Sequence, residues 1–242
     1  MKKLKIKELL KLTTHRADDL PKGGYSYYQE WNRALFFHWK VDAIALKQFI
    51  PDHLELDLFN NEAYISLVAF TMEQIRPRFL PAFSPISNFD EINLRTYVVR
   101  DGVAGVYFLN IEAGKILSVA LSKMLSGLPY EHAEMSRNNL DNFQSIFHKK
   151  GFSFNVTYDV GEVIEDKTDL DDFLTERYSL FVDIGADLFR YDIHHIPWPL
   201  NKLKLYALET NYILESINLN ELPIKVHYSS GVQVVAWNRI KV

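Results

Sequence analysis

The sequence predicts an α+β fold in which a mainly antiparallel sheet, closed into a barrel or strongly bent, carries a few flanking helices. Three observations predict it. About ten short segments rich in aliphatic and aromatic residues are separated by turn signals, mostly at hairpin spacing. Only three or four stretches show helical periodicity, and they fall between runs of strands. The composition is 48% hydrophobic and 14% aromatic, with 13 Tyr and 16 Phe, material that favours strands and can fill a large core. At 242 residues one such domain suffices, so the expected division is an extension over residues 1–24 and a single domain over 25–242.

Taken in order, residues 3–12 set Leu4, Ile6, Leu9, Leu10 and Leu12 among lysines. That spacing predicts a short amphipathic helix docked on the body; a membrane-surface helix would want an aromatic anchor that is missing here. Pro21-Lys22-Gly23-Gly24 ends it. "ALFFHWKV" (34–41) reads as a strand, and Asp42 caps a helix over "AIALKQFI" that Pro51 stops. Asn60-Asn61 and Asp101-Gly102 tolerate the positive φ of tight turns, predicting that "LELDLF" pairs with "AYISLVAFTM" and "INLRTYVVR" with "GVYFLNIE". "KILSVALSKMLSG" (115–127) has helical spacing and ends on Gly127 with Pro129 beyond. "FQSIFHKKGFSFNVTYDV" reads as two strands about Lys149-Lys150-Gly151. "DLDDFLTERY" (169–178) opens like a helix with acidic residues in its first turn. "SLFVD" and "LFRYDIHH" pair about Gly185-Ala186; "KLKLYALE" follows, then a helix near 210–217. "IKVHYS" and "VQVVAW" close the chain as a hairpin turning at Gly231.

Bulk properties narrow the function. A net charge of −4 without a block of basic residues offers no footprint for a nucleic-acid backbone, so no nucleic-acid partner is expected. The absence of cysteine rules out a disulfide, a thiolate nucleophile or a thiolate-bound metal and suits the cytoplasm, the expected location. The N-terminal lysine and leucine pattern lacks the apolar core of a signal peptide, and no apolar run is long enough for a membrane helix. No membrane partner is therefore expected. Self-association into a homo-oligomer is expected from the sheet edges and aromatic content.

Two segments carry candidate chemistry. In "GLPYEHAEM" (127–135), strand alternation puts Tyr130, His132 and Glu134 on one face: either a phenol, an imidazole and a carboxylate facing inward, or the polar side of an ordinary strand. In "EINLRTYV", Glu91, Asn93, Arg95 and Tyr97 share one face and Ile92, Leu94, Thr96 and Val98 the other. The apolar face must be packed, so the polar face meets solvent or a barrel lumen. An arginine in a lumen suits a carboxylate, from Glu91 or from a ligand. Arg177, Tyr178, His194, His195 and Trp198 are further candidate pocket residues. Alternatively, Arg177 pairs with Asp171 or Asp172, and Pro197 and Pro199 hold Trp198 as a packing wedge. Adjacent strand residues point to opposite faces, so His194 and His195 cannot both ligate one ion, and no metal is expected. His38 reads as a satisfied core histidine, and His227 has no company that suggests chemistry. Neither a nucleophile elbow nor a phosphate loop occurs, and no cofactor is expected.

Five separated segments, "LFFHWKVDAIALKQFIPDHLELDLFNNEAYISLVAFTMEQIRPR", "FDEINLRTYVV", "GLPYEHAEM", "FLTERYSLF" and "IHHIPWPL", resemble the YqjF-like uncharacterised family, domain of unknown function 2071. The resemblance runs from about Trp31 to the end of the chain. That family lies in the acetoacetate decarboxylase-like superfamily, which implies a cone-shaped antiparallel β-barrel with flanking helices and an internal pocket. In the decarboxylase a lysine just after a Gly-aromatic-Pro turn forms a Schiff base with the substrate. Here Gly127-Leu128-Pro129 is followed by Tyr130, and a phenol cannot form an imine. The resemblance thus implies the pocket and removes the nucleophile; Lys115 and Lys123 on the preceding segment are weak substitutes. It also carries a carboxylate over to Glu91 and an anion-binding role to Arg95.

Two functions follow as expectations. One is a lyase- or isomerase-type acid–base enzyme acting on a keto acid or related carbonyl compound. In it Tyr130, with its pKa lowered by an arginine, and His132 exchange protons beside Glu91 and Arg95, and Asn93, Glu134, Arg177, Tyr178, His194 and His195 bind the substrate. The other is a protein that only binds a small molecule such as an organic acid.

Overall fold

The computed structural model describes residues 3–119, 127–138 and 141–242. Among these residues a continuous sheet closes into a ring. Its strands are, in order of pairing, Lys225–Ala236, Tyr27–Val41, Ala63–Pro77, Phe89–Arg100, Val103–Ala113, Ser179–Ile184 and Asp187–His194, which returns to Lys225–Ala236. Every pairing is antiparallel except that of Val103–Ala113 with Ser179–Ile184. A second arc leaves Lys225–Ala236 through Leu200–Asn211, Phe152–Val163, Asn142–Phe147 and Glu134–Ser136. Beside it, Glu131–His132 pairs with Glu112 and Ala113. The α+β, sheet-dominated fold is the one expected.

The ring strands Tyr27–Val41, Ala63–Pro77 and Phe89–Arg100 pack against the arc and are covered on both faces. Leu35, Phe37, Ile65, Leu67, Ile92 and Leu94 pack with Phe143, Phe154 and Tyr158 of the arc. Ala34, Phe36, Val68, Phe70 and Met72 pack on the ring side with Ile111, Trp198 and Val234. Burial on both faces explains why "ALFFHW" and "AYISLVAF" read as continuous apolar runs without the alternation of a half-exposed strand.

Most of the turn chemistry acts where it is written. Asp101 and Gly102 both take positive φ (50° and 78°) between the paired residues Arg100 and Val103. Phe147 pairs with Phe152 across Gly151, and Ile184 with Asp187 across Gly185. Asp42 Oδ1 accepts from Ala45 N to cap Ala43–Lys47. Thr168 and Asp171 form a reciprocal capping box at the start of Asp169–Thr175.

Three expectations change. Asn60 and Asn61 do turn with positive φ, but they close a single bridge between Phe59 and Glu62. Glu55–Leu56 pairs instead with Val98 and Val99, drawn across by the bond from Asp57 N to Tyr97 O. Residues 210–217 are not helical: the strand runs on to Asn211, and Tyr212 then turns its ring into the core before a small hairpin of Ile213–Leu214 with Ile217–Asn218. Gly231 is no turn. It lies inside one strand at φ 131°, where a Cβ would sit 2.5 Å from Trp31 O and 2.4 Å from Asn32 Oδ1. The close approach accompanies a bulge on the neighbouring strand between Asn32 and Leu35.

Of the expected helix at 115–127, residues 116–119 are helical and 120–126 lie outside the described residues. In the N-terminal stretch, Ile6–Leu9 is helical and Leu9 is fully buried against Tyr28, Val235 and Trp237. No helix among the described residues is long and apolar enough to cross a membrane.

Candidate functional site

Inside the ring lies a cavity of about 460 Å³ whose wall is mostly apolar. Strand Phe89–Arg100 supplies its polar stripe: Glu91, Asn93 and Arg95 line it at the two-residue period, while Ile92 and Leu94 face the other core. Tyr97 is buried on the same strand but is spent on structure. Its hydroxyl donates to Leu174 O at 2.7 Å and sits 2.5 Å from Ser66 Oγ.

Tyr130 reaches the cavity from the irregular stretch after Gly127 and donates its hydroxyl to Glu91 Oε2 at 2.9 Å. Asn93 Nδ2 stands 3.4 Å from Glu91 Oε1. Glu91 is buried, and burial pushes its carboxyl up to about 7 even though both donors favour the charged form. Burial, followed by the adjacent Glu91, pushes the Tyr130 phenol well above its ordinary value. The expected lowering by an arginine is therefore reversed: the phenol stays protonated at neutral pH and donates.

Arg95 is buried and donates from Nη2 to Leu174 O at 3.1 Å, while its Nε has no partner. Among the described residues no carboxylate lies within ion-pair distance of it. A buried cation without a counter-ion at a cavity wall is an anion site in waiting, because its charge is costly until something compensates it. Arg177 also lines the cavity but is committed: Nη1 bonds Asp57 Oδ2 at 2.6 Å, Nε bonds Phe173 O, and the guanidinium packs between Tyr97 and Phe173. The expected pairing with Asp171 or Asp172 is not the one formed.

The two adjacent histidines separate as strand alternation demands. His195 lines the cavity, with Nδ1 2.7 Å from Ile196 O. That nitrogen must carry the hydrogen, so the unpartnered Nε2 is an acceptor, and burial pulls the imidazole down to about 4. His194 is on the other side of the wall, with Nε2 2.9 Å from Leu9 O and its ring stacked on His15. Tyr178 does not line the cavity; its hydroxyl donates to Glu176 Oε2.

His132 and Glu134 depart from the expected face. Both are exposed, in a shallow surface depression where Glu134 pairs with His148 at 3.2 Å. The strand is broken at Ala133, which is buried and donates its N–H to Ala113 O. Tyr130 precedes the strand, which begins at Glu131, so alternation does not carry from Tyr130 through to His132.

Trp198, a candidate pocket residue, and Trp31, which was not anticipated, both line the cavity. They stack with ring centroids 6.0 Å apart, and Trp31 Nε1 has no partner. Unpartnered buried atoms thus gather on this wall: Trp31 Nε1 and Arg95 Nε as donors, Asn93 Oδ1 and His195 Nε2 as acceptors. His227 has company after all. Its Nε2 meets Asp171 Oδ1 at 2.6 Å and its Nδ1 meets His38 Nε2 at 3.2 Å, while His38 Nδ1 meets Ser66 Oγ at 2.6 Å. This chain leads through Tyr97 to the carbonyl that holds Arg95. Among the described residues no cluster suits a metal ion.

The sequence profile of the DUF2071 family, described as an uncharacterized conserved protein, matches residues 28–233. The chain belongs to the DUF2071 family. It is 34% identical over 226 residues to the uncharacterized protein YqjF of Bacillus subtilis (strain 168), covering 90% of this chain and 93% of that one. Among solved structures, the DUF2071 chain superposes on an acetoacetate decarboxylase-like enzyme from Sphingomonas wittichii RW1 with TM-score 0.60 and 14% identity, over 91% of this chain and 94% of that one. Acetoacetate decarboxylase from Legionella pneumophila gives 0.58 at 12% identity, over 93% and 92%. The enduracididine biosynthesis enzyme MppR, complexed with pyruvate, gives 0.59 at 11%, over 93% of each chain. At such identities the likeness is one of fold: the DUF2071 chain has an acetoacetate decarboxylase-like architecture. No lysine stands among the described residues that line its cavity. Lys115 Nζ bonds Asn88 O, and Lys123 lies outside the described residues.

Proposed function

We propose that this DUF2071 protein is an acid–base enzyme that binds an organic acid in the ring cavity and moves a proton next to its carbonyl group. The observation that carries the reading is the buried Glu91–Tyr130 pair in the same cavity as the unpaired Arg95. A carboxyl with a pKa near 7 is half ionised at neutral pH, where a group that must both take and return a proton works best. The MppR structure with pyruvate supports the ligand class by analogy of fold.

In the proposed step Arg95 holds the substrate carboxylate and Glu91 takes a proton from the carbon beside the carbonyl. The C–H electron pair becomes the enolate double bond, and charge moves to the carbonyl oxygen. Arg95 and the protonated Tyr130 hydroxyl stabilise that oxygen, and the Glu91 carboxyl returns a proton to carbon. Isomerisation or a lyase reaction follows from such an enolate. Without a lysine at the Tyr130 position the carbonyl stays uncombined. The lack of cysteine fits a reducing compartment, and the proposal places the protein in the cytoplasm.

The test is exchange of the C3 hydrogens of 2-oxobutanoate in D2O, followed by proton NMR. Exchange should exceed that of buffer, rise with pH through about 7 as Glu91 ionises, and fall by roughly a hundredfold or more in Glu91→Gln. Exchange that survives Glu91→Gln refutes the assignment. Binding without exchange in the wild type would leave only a binding protein.

A further inference from the structure

We infer that the ligand is an amphiphilic carboxylic acid, with its carboxylate at Arg95 and an extended apolar tail that runs past Glu91 and out between Leu80 and Phe83. The inference rests on the reading of Arg95 as the anion site and adds what lies beyond it. Ladder register supplies a ruler. Ser66 is opposite Arg95, Val68 opposite Asn93, Phe70 opposite Glu91 and Met72 opposite Phe89. At about 3.3 Å per residue, the level of Met72 lies roughly 20 Å along the strand from that of Arg95. The cavity wall does not stop there. It continues through Ile75, Arg76 and Pro77 into a loop and the short helix Ser84–Ser87, whose Leu80, Pro81, Phe83 and Ile86 line the same cavity.

The cavity is therefore a channel with a cation at its inner end and an apolar lip at its outer end. Its volume of about 460 Å³ lies within the roughly 300–1,000 Å³ of sites that take drug-sized ligands. A three- or four-carbon keto acid would occupy only the inner end. Leu80 and Phe83 are 60% and 63% exposed, and Phe79 beside them 87%. The segment with exposed Ile116 and Leu117 is tied to this loop by Ser118 Oγ donating to Ile86 O at 3.0 Å and Lys115 Nζ to Asn88 O. Exposed apolar side chains gathered at a cavity mouth mark a surface that something covers, and a ligand tail leaving the mouth would do so. Arg76 is a second cation, at the lip. It stacks on Tyr28 and donates to Gln74 O. An acid anchored there would drive its tail inward onto Glu91, Asn93 and Arg95, so the inner anchor is the one the wall chemistry fits.

The experiment is calorimetric titration, by displacement where binding is tight, with straight-chain 2-oxo acids of four, eight and eighteen carbons, each below its micelle concentration, against wild type, Arg95→Met, Arg76→Met and the double variant Leu80→Ser/Phe83→Ser. Kd should fall by about fourfold for each added methylene until the tail clears the lip. Arg95→Met should weaken every acid at least tenfold and Arg76→Met should not. The lip variant should narrow the ratio between the eighteen- and eight-carbon acids by about tenfold, because only the longer tail reaches Leu80 and Phe83. Arg95-dependent binding with no gain from chain length overturns the tail and leaves the acid site standing. Binding indifferent to Arg95, or no binding at all, overturns both.

Discussion

Glu112 provides a measurable consequence of burying a carboxyl group in this sheet. It pairs with Ile92 in the ladder where Glu91 pairs with Ala113, so the two acids face opposite sides of one two-stranded ribbon. Glu112 is fully buried. Its Oε1 accepts from Asn110 Nδ2 at 2.6 Å and Tyr212 OH at 3.1 Å, and its Oε2 from Ser145 Oγ at 3.3 Å. Burial outweighs these donors and pushes the carboxyl from 4.5 up to about 7. Between those values the folded protein keeps a proton that the unfolded chain has released, so this group's contribution is fully present below about 4.5 and is lost as pH rises through about 7. At about 1.4 kcal/mol per factor of ten, the loss amounts to about 3 kcal/mol. Glu112→Gln does not titrate. It keeps an acceptor for Asn110 and Tyr212 and offers its amide N–H to Ser145 Oγ. Urea unfolding at pH 5 and pH 8.5 should show the variant gaining about 2.5 kcal/mol on wild type between the two conditions. A difference between the two proteins that is the same at both pH values would refute the argument.

Two further substitutions test the packing around the site. Gly231→Ala puts a Cβ against Trp31 O and Asn32 at a φ of 131°, and should lower unfolding stability by more than about 1 kcal/mol; an unchanged denaturation midpoint would show that the bulged strand can yield. Asp171 is buried, bonded to Thr168, His227 and Lys225; burial alone would raise its carboxyl, but these donors hold it below its ordinary value. Its stabilising effect is present above the unfolded value of 3.8 and lost as pH falls below it. Asp171→Ala leaves buried partners unpaired and should cost about 3–5 kcal/mol at pH 7, with a smaller difference from wild type in acid, by thermal or urea melts.

The turns at Asp101-Gly102 and Gly185 were legible because turn chemistry is local. Gly231 was misread for the same reason: a glycine marks a turn or a close approach equally well, and only Trp31 and Asn32 on the neighbouring strand decide between them. The stripe of Glu91, Asn93 and Arg95 was legible from its two-residue period. Whether it met solvent or a lumen depended on ring closure through His194 and Val235, which no local pattern encodes. Tyr130 and His132 failed as a pair because the strand begins only at Glu131 and Tyr130 lies outside it, on irregular backbone. Trp31 and His227 were missed because contacts made across the ring leave no short-range signature.

The chain from Asp171 to Leu174 O has five links, through His227, His38, Ser66 and Tyr97. Burial, the largest influence on each, pulls both imidazoles below their ordinary value, so at neutral pH they are uncharged and the chain owns four hydrogens for five links. His227 gives its hydrogen to the Asp171 carboxylate. His38, Ser66 and Tyr97 give theirs in the other direction, and the link left empty is the longest, the 3.2 Å contact between His38 and His227. Hydrogens that point away from the middle towards both ends cannot be handed along the row. The chain is therefore a tie-rod, not a proton wire: it anchors the helix start at Asp171 to the carbonyl that aims Arg95.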